Sequence, residues 1–325
     1  MNNDFLPKHI EKVGVPPIKC QGIKTKLVNF IANNISWNGK GKWIEPFLGS
    51  GVVLFNVQPS RALISDSNIH IIHLYKEIQQ GKINGIIVKQ FLKEMGIKLR
   101  KLDGDFFYEV RERFNKEGEP LDFLFLNRSC FNGVMRFNRK GRFNVPYGHK
   151  PERFQQAYVT KIVNQVEWIR NVMLGRDWEF TTMNWRETFS STSKNDFVYL
   201  DPPYIGRHTD YYNNWNEEEA NELAQVAKSL PCGFALSMWL ENKYRKNEHI
   251  SNYWNGLTIK TFNHFYHVGS TESLRNEMVE ALVIKPQNVS SENIIPLYST
   301  QTTTQLRMFA EKKVKYKPGK KIKYK

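Results

Sequence analysis

The chain of 325 residues carries 47 lysines and arginines against 32 aspartates and glutamates, a formal net charge of +15. Hydrophobic residues make up 40%, enough for one large domain, or one large domain carrying a smaller insert. No apolar run approaches membrane-spanning length, no signal-peptide stretch opens the sequence, and Cys20, Cys130 and Cys232 lie too far apart for a disulfide framework or a zinc site.

With eight histidines in no ligand pattern, these features predict a reduced, cytoplasmic protein without membrane or metal. The positive surplus favours a polyanion as partner, because each neutralised phosphate releases condensed counterions. Eight of the lysines lie between Lys312 and Lys325; without them +7 remains, so the body is basic as well as the tail.

Short apolar runs ending in turn residues alternate with longer helical stretches, the pattern of an α/β fold. A strand over residues 43–47 runs into the turn Leu48-Gly49-Ser50-Gly51, and a helix follows over 52–57. A second strand over 62–66 ends in Asp66, ahead of a helix over 69–78. Between residues 81 and 159 the composition shifts to Lys, Arg, Phe and Asn with few buried-strand candidates, which predicts an inserted module, mainly helix and loop. Further strands are expected over 179–183, 197–200, 233–237, 257–261 and 279–284. Between the second and third of these, Asn216 can cap a helix with Glu219 three residues on, and Leu223, Val226, Ala227 and Leu230 form its apolar face. The catalytic domain is thus expected to be discontinuous, over 1–80 and 160–288, with a flexible basic tail over 289–325.

Two loops carry chemistry. In Pro46-Phe47-Leu48-Gly49-Ser50-Gly51, glycines after a strand let the backbone approach a ligand. Alone, the pattern is equally an ordinary strand-to-helix turn, and Asp66 is equally a helix cap. Together they suit an adenosine-containing cofactor, whose ribose hydroxyls an acid after the second strand can accept; they do not separate NAD from S-adenosylmethionine.

The second loop is more specific. Asp201-Pro202-Pro203-Tyr204 sits at the carboxyl end of an apolar strand. Consecutive prolines hold the backbone extended and remove two N–H donors, leaving the Asp201 carboxylate and a peptide carbonyl as acceptors. An amine on an aromatic ring is a poor nucleophile, because its lone pair is delocalised. Two acceptors on its hydrogens favour a tetrahedral nitrogen whose lone pair can attack a sulfonium methyl, while the Tyr204 ring stacks on a flipped base. A WW-domain ligand would need PPxY, which this is not.

At these residues the chain resembles the Dam-type DNA adenine methyltransferases, the alpha-ordered, D12-class group of N6-adenine enzymes, from about Pro17 to Pro286. The run from Leu126-Asn127-Arg128 through Arg142-Phe143-Asn144-Val145-Pro146-Tyr147-Gly148 resembles the start of that family's DNA-recognition module. The resemblance implies a Rossmann-like, S-adenosylmethionine-dependent methyltransferase sheet with an inserted, mainly helical target-recognition module. It implies catalysis by Asp201, Pro202, Pro203 and Tyr204, and a cofactor held by Pro46, Phe47, Gly49, Gly51 and Asp66, with Lys19, Gly22 and Lys24 near the methionyl carboxylate. Double-stranded DNA is the implied partner, touched by Asn127, Arg128, Phe131, Asn132, Arg136 and Asn144. Phe131 would insert near the vacated base and Arg136 would read a guanine edge; a core aromatic and a phosphate contact are the competing readings of these two.

The chain also departs from the family pattern. Cys20 stands where those enzymes place tryptophan, Asn184 where an acid often binds the cofactor adenine, and Ser237-Met238-Trp239 where a polar run is usual, so that Trp239 could wall the flipped base. Cytosine N4 methylation remains open in principle, although Ser is more usual at the first tetrad position. A non-enzymatic DNA-binding relative is disfavoured by the intact loops, and an RNA substrate by the absence of an RNP1 signature. The expected enzyme flips adenine from a short duplex site, works as a monomer, and serves as the modification half of a restriction-modification system whose nuclease is encoded separately. GATC is implied by resemblance; the altered amino-terminal run leaves another ATG- or ATC-containing tetranucleotide equally open.

Overall fold

Asparagines set half of the helix starts among the described residues, each lending its side-chain oxygen to a backbone amide two or three residues on. In the computed structural model, which describes residues 4–204, 215–242, 245–267 and 275–287, Asn68 caps α3 (Ile69–Gln79), Asn84 caps α4 (Gly85–Leu102) and Asn216 caps α9 (Glu217–Ser229). Asn184 opens α8 (Trp185–Phe189) with a complete capping box to Glu187, and Asn247 caps α10 (Glu248–Tyr253). The expected capping box at Asn216 is only half made, because the Glu219 carboxylate turns to Arg186 instead. The remaining helices are α1 (Val28–Asn34), α2 (Val52–Val57), α5 (Gly104–Glu117), α6 (Pro120–Ser129) and α7 (Gln156–Met173).

Seven strands form one sheet: β1 (Trp43–Glu45), β2 (Arg61–Asp66), β3 (Asp177–Thr182), β4 (Phe197–Leu200), β5 (Gly233–Asn242), β6 (Thr258–His267) and β7 (Arg275–Lys285). Their order is β3-β2-β1-β4-β5-β7-β6, with β1 to β5 parallel and β7 antiparallel to both its neighbours. All seven expected strands are present. The last three run longer than expected: β6 lies at the sheet edge, where Thr258 to Thr261 are exposed, so ladder hydrogen bonds rather than apolar burial set its length.

Side chains alternate between the faces of the sheet. Phe197 and Tyr199 of β4 join the larger apolar cluster with α1 to α7, whereas Val198 and Leu200 join the smaller one with α8, α9 and α10. Trp43 stacks with both Phe197 and Tyr199, at 5.6 and 5.9 Å between ring centres. Pairs of this kind contribute about 0.5–1.5 kcal/mol each beyond burial, and here they fix β1 against β4, the two strands that carry the chemical loops. Helices α4 to α6 continue the larger cluster outward from α3, and α6 is buried on almost every side. The expected tail over 289–325 lies outside the described residues.

Candidate active site

The chain leaves β1 for β2 on one side and reaches β4 on the other, so the carboxyl ends of β1 and β4 part at a topological switch point. In open α/β sheets this is where a crevice forms. A cavity of about 680 Å³ opens there, lined by Gly22, Lys24, Pro46, Phe47, Gly49 and Asp66 together with Asp201, Pro202, Pro203 and Tyr204. All four expected catalytic residues and six of the eight expected cofactor residues therefore meet in one chamber. Gly51 and Lys19 do not line it. Gly51 sits behind the loop at φ +70, where a Cβ would strike the Phe55 ring at 2.7 Å, and its amide closes the turn onto the Leu48 carbonyl. Lys19 lies instead beside the recognition segment, its side chain passing over Gly133, where any Cβ would collide with it.

A buried ion pair organises the Asp-Pro-Pro-Tyr loop. Lys24 Nζ lies 3.1 Å from Asp201 Oδ1, donates to the Gly22 carbonyl at 3.2 Å and to the Tyr204 hydroxyl, and stands 4.8 Å from the Tyr204 ring centre. Burial works against the Lys24 charge, but Asp201, Tyr204 and Glu280 outweigh it and hold the ammonium protonated. Asp201 also accepts from Ser237 Oγ at 3.2 Å, and Ser237 in turn lies 2.8 Å from the Tyr199 hydroxyl. Burial raises the Asp201 pKa above the usual carboxylate value; Lys24 and Ser237 pull it back down. The carboxylate is thus oriented by two donors on one oxygen. Tyr204 is further tied by its hydroxyl, 3.4 Å from Glu280.

Two more carboxyl groups face the cavity. Asp66 is 6% exposed and accepts the Gly49 amide at 2.9 Å on one oxygen and the Asn68 amide at 2.8 Å on the other. Burial lifts its pKa to about 6 against the pull of those two bonds. It therefore shapes the glycine loop and caps the next turn while keeping acceptor sites for a ligand, which joins the two sequence readings of this residue. Glu45 is 2% exposed, accepts from Trp43 Nε1 at 2.9 Å, and is pushed up to about 8 by burial. Sequence reasoning missed Glu45, although it directly precedes Pro46. It also missed Glu280, whose readable signal is one acid inside the apolar run of β7.

The altered positions have definite surroundings. Cys20 lines the cavity, and burial followed by Asp66 and Asp201 raises its thiol pKa. Asn184 lines it too, but its side-chain oxygen is committed to the amides of Arg186 and Glu187. Trp239 packs against the smaller apolar cluster and is not among the cavity's lining residues.

The segment expected to recognise DNA is built on aromatic anchors. Phe137 and Phe143 bridge a tight hairpin, His70 stacks on Phe137 at 5.3 Å, and Asn115 brackets the Phe143 backbone with both amide atoms. Arg136 donates from Nε to Asn144 Oδ1 at 2.9 Å and from Nη2 to the Asn144 carbonyl at 3.2 Å, so these two expected DNA contacts hold each other. Phe131 is 54% exposed, beside Asn132 at φ +54 and Gly133 at φ +68. Asn127 and Arg128 differ from the expectation: both are buried, with Asn127 clamping the Lys19 backbone through bonds of 2.7 and 2.9 Å and Arg128 donating to the Pro17 carbonyl. Neither side chain reaches a surface. From the hairpin, Arg139 is exposed and lines the cavity.

A doubly wound sheet with a glycine loop, a buried acid after β2 and an Asp-Pro-Pro-Tyr loop at one switch point defines a methyltransferase of the α/β class. The family model for D12 class N6 adenine-specific DNA methyltransferases matches residues 21–268, and the chain belongs to that family. It is 30% identical over 270 residues to the type II methyltransferase M.MjaIII of Methanocaldococcus jannaschii, covering 75% of this chain and 89% of that protein. It is 30% identical over 237 residues to the DNA adenine methylase of Haemophilus influenzae, covering 70% of this chain and 79% of that one. The modification methylase StsI of Streptococcus sanguinis is 27% identical over 281 residues, covering 82% of this chain and 42% of the longer relative. The protein is an N6-adenine-specific DNA methyltransferase.

Proposed function

We propose that the methyl donor is S-adenosylmethionine, bound in the switch-point cavity, and that the acceptor is an adenine flipped from a short duplex site. The observation that carries this reading is the meeting of the glycine loop, Asp66 and the Lys24–Asp201–Tyr204 cluster in one chamber of about 680 Å³, within the usual range for cofactor sites. The residues fit that cofactor: two buried carboxyl groups with raised pKa face the space, an environment that a ribose diol and positive charge would relieve. Asp66 would accept from the ribose, Gly49 and Gly22 would allow close backbone approach, and Glu45 would face positive charge. When bound, the cofactor supplies an electrophilic methyl on a sulfonium.

Asp201 and the carbonyl of the proline pair accept the two N6 hydrogens and turn the nitrogen lone pair out of conjugation. Lys24 keeps Asp201 oriented and ionised while the neutral amine approaches. The Asp201 carboxylate would stabilise the positive charge that methylation places on N6 and accept the proton that the nitrogen then loses. Tyr204, tethered at its hydroxyl, presents its ring to the base.

On the DNA side, Phe131 acts as an apolar wedge and Arg136, aligned by Asn144, reads a base edge. Asn127 and Arg128 position the amino-terminal segment rather than touch DNA. The relatives' names support a modification role, and the unpaired cysteines suit a reducing cytoplasm; we take a separately encoded nuclease as the partner and the monomer as the working unit. Among the described residues no helix is long and apolar enough to cross a membrane. Asp201→Ala should keep S-adenosylhomocysteine binding near the wild-type level while lowering turnover on the order of 10³-fold. Loss of cofactor binding with it would mean that Asp201 belongs to the cofactor site instead.

A further inference from the structure

A second groove, of about 590 Å³, shares no residue with the cofactor cavity. Lys150, Arg153 and Lys161 line it, with Tyr158 and one acid, Glu152. That acid is already engaged by Arg100 at 3.0 Å. Among the described residues no salt bridge joins Lys150, Arg153 or Lys161 to an acid, nor does one reach the adjoining Arg128 and Lys19. Arg128 and Arg153 both lie against the Tyr158 ring, at 4.9 and 4.4 Å from its centre. Burial and the neighbouring Arg153 and Arg128 depress Lys19 to about 8, as expected for cations gathered without a counter-charge. The groove also runs onto the start of α7, an 18-residue helix whose first turn has neither a side-chain cap nor an acid, so its positive end adds to the same field.

The groove is tied to the recognition segment. Lys150 follows Tyr147 and Gly148, which are held to Cys130 and Ser129, and Arg153 Nε donates to the Arg128 carbonyl at 2.9 Å. Exposed Phe131 is only three residues beyond Arg128. A duplex engaged by Phe131 and Arg136 therefore has its backbone close to a preformed, uncompensated cationic groove.

We propose that Lys150, Arg153 and Lys161 grip a backbone phosphate of the duplex outside the recognised site. The assignment rests on the DNA-methylating reading and adds a footprint to it. Guanidinium against an aromatic face, lysines at the rim and a helix start without a side-chain cap suit a phosphodiester, a contact that carries affinity and register rather than sequence.

The test uses the full chain and two duplexes with the same methylation site centred, one of roughly 10 base pairs, a single helical turn, and one of roughly 25. The variant is Lys150→Gln/Lys161→Gln; both side chains are exposed and neither makes a contact that folding requires. Wild-type protein should bind the longer duplex about tenfold more tightly, and its salt slope on that duplex should exceed the variant's by about 1, the change that one phosphate contact carries. The variant should lose most of the length effect while keeping its kcat on saturating duplex. Equal length dependence and equal salt slopes in the two proteins would overturn the proposal. So would binding of inorganic phosphate that only the wild type shows, with length dependence unchanged, which would assign the groove to a free anion. A wild-type protein that methylates neither duplex would overturn the enzymatic reading and the groove with it; one that methylates both without a length effect would overturn the groove alone.

Discussion

The catalytic chamber and the recognition hairpin solve opposite problems with the same chain. In the chamber, charged groups are buried and restrained: Lys24 is held by Asp201, the Gly22 carbonyl and Tyr204, and Asp66 by two backbone amides. In the hairpin the buried parts are aromatic rings, and what faces outward is Phe131, Asn132 and Arg139. The difference teaches where each region stores its precision. The chamber is pre-organised by electrostatics and should be sensitive to charge and pH; the hairpin is pre-organised by packing and should be sensitive to its anchors and its exposed tips.

The largest expected effect is on the chamber side. Lys24→Met removes the partner of a buried carboxylate, which typically costs about 3–5 kcal/mol of stability, and should lower kcat on the order of 10²-fold. Without the ammonium, only the Ser237 hydrogen bond opposes the effect of burial on Asp201, so the acidic limb of the rate profile should move to higher pH. A rate profile of unchanged shape would mean that Lys24 is only a packing element.

The hairpin should answer differently. Arg136→Ala should relax site preference by about 1–3 kcal/mol at one base position and leave cofactor binding near normal. Asn144→Ala, which removes only the side-chain bond that aligns the guanidinium, should reproduce part of that change. Methylation assays on single-base variants of the site measure both. Loss of cofactor binding in Arg136→Ala would erase the distinction between the two regions.

The sheet and its chemical loops were legible because they obey local rules. Glycines close a turn after β1, two prolines follow β4, and a short apolar run marks each strand. Asn127 and Arg128 were placed on DNA by resemblance alone; their partners, the backbone of Lys19 and the carbonyl of Pro17, lie more than a hundred residues away, so no local pattern marks them as buried. The same holds for Lys24, whose ion pair with Asp201 spans most of the catalytic domain. Long-range polar closure leaves no periodic trace in a sequence. Glu45 and Glu280 did leave one, as acids inside apolar strands, where an unpartnered charge would be costly.

A smaller effect separates the regions by pH. Glu45 and Asp66 hold their protons to about pH 8 and about pH 6 in the folded protein, above their ordinary values of 4.5 and 3.8. The native state thus binds more protons than the unfolded one between those limits. The stability this contributes is complete below the ordinary values and is lost as pH rises through the raised ones. Melting temperature without cofactor should fall between pH 5 and pH 9, and Glu45→Gln should flatten the decline up to about pH 8. An identical decline in the variant would mean that Glu45 titrates normally.

The central claim is that the Asp201 loop acts on adenine in DNA at a site chosen by the hairpin. Long-read modification mapping of DNA from cells expressing the wild-type chain, beside cells expressing Asp201→Ala, tests it most directly. The account predicts N6-methyladenine at one short motif in the first sample and none at that motif in the second. Methylcytosine at the motif, or an N6-methyladenine signal that persists in the Asp201→Ala sample, would contradict it.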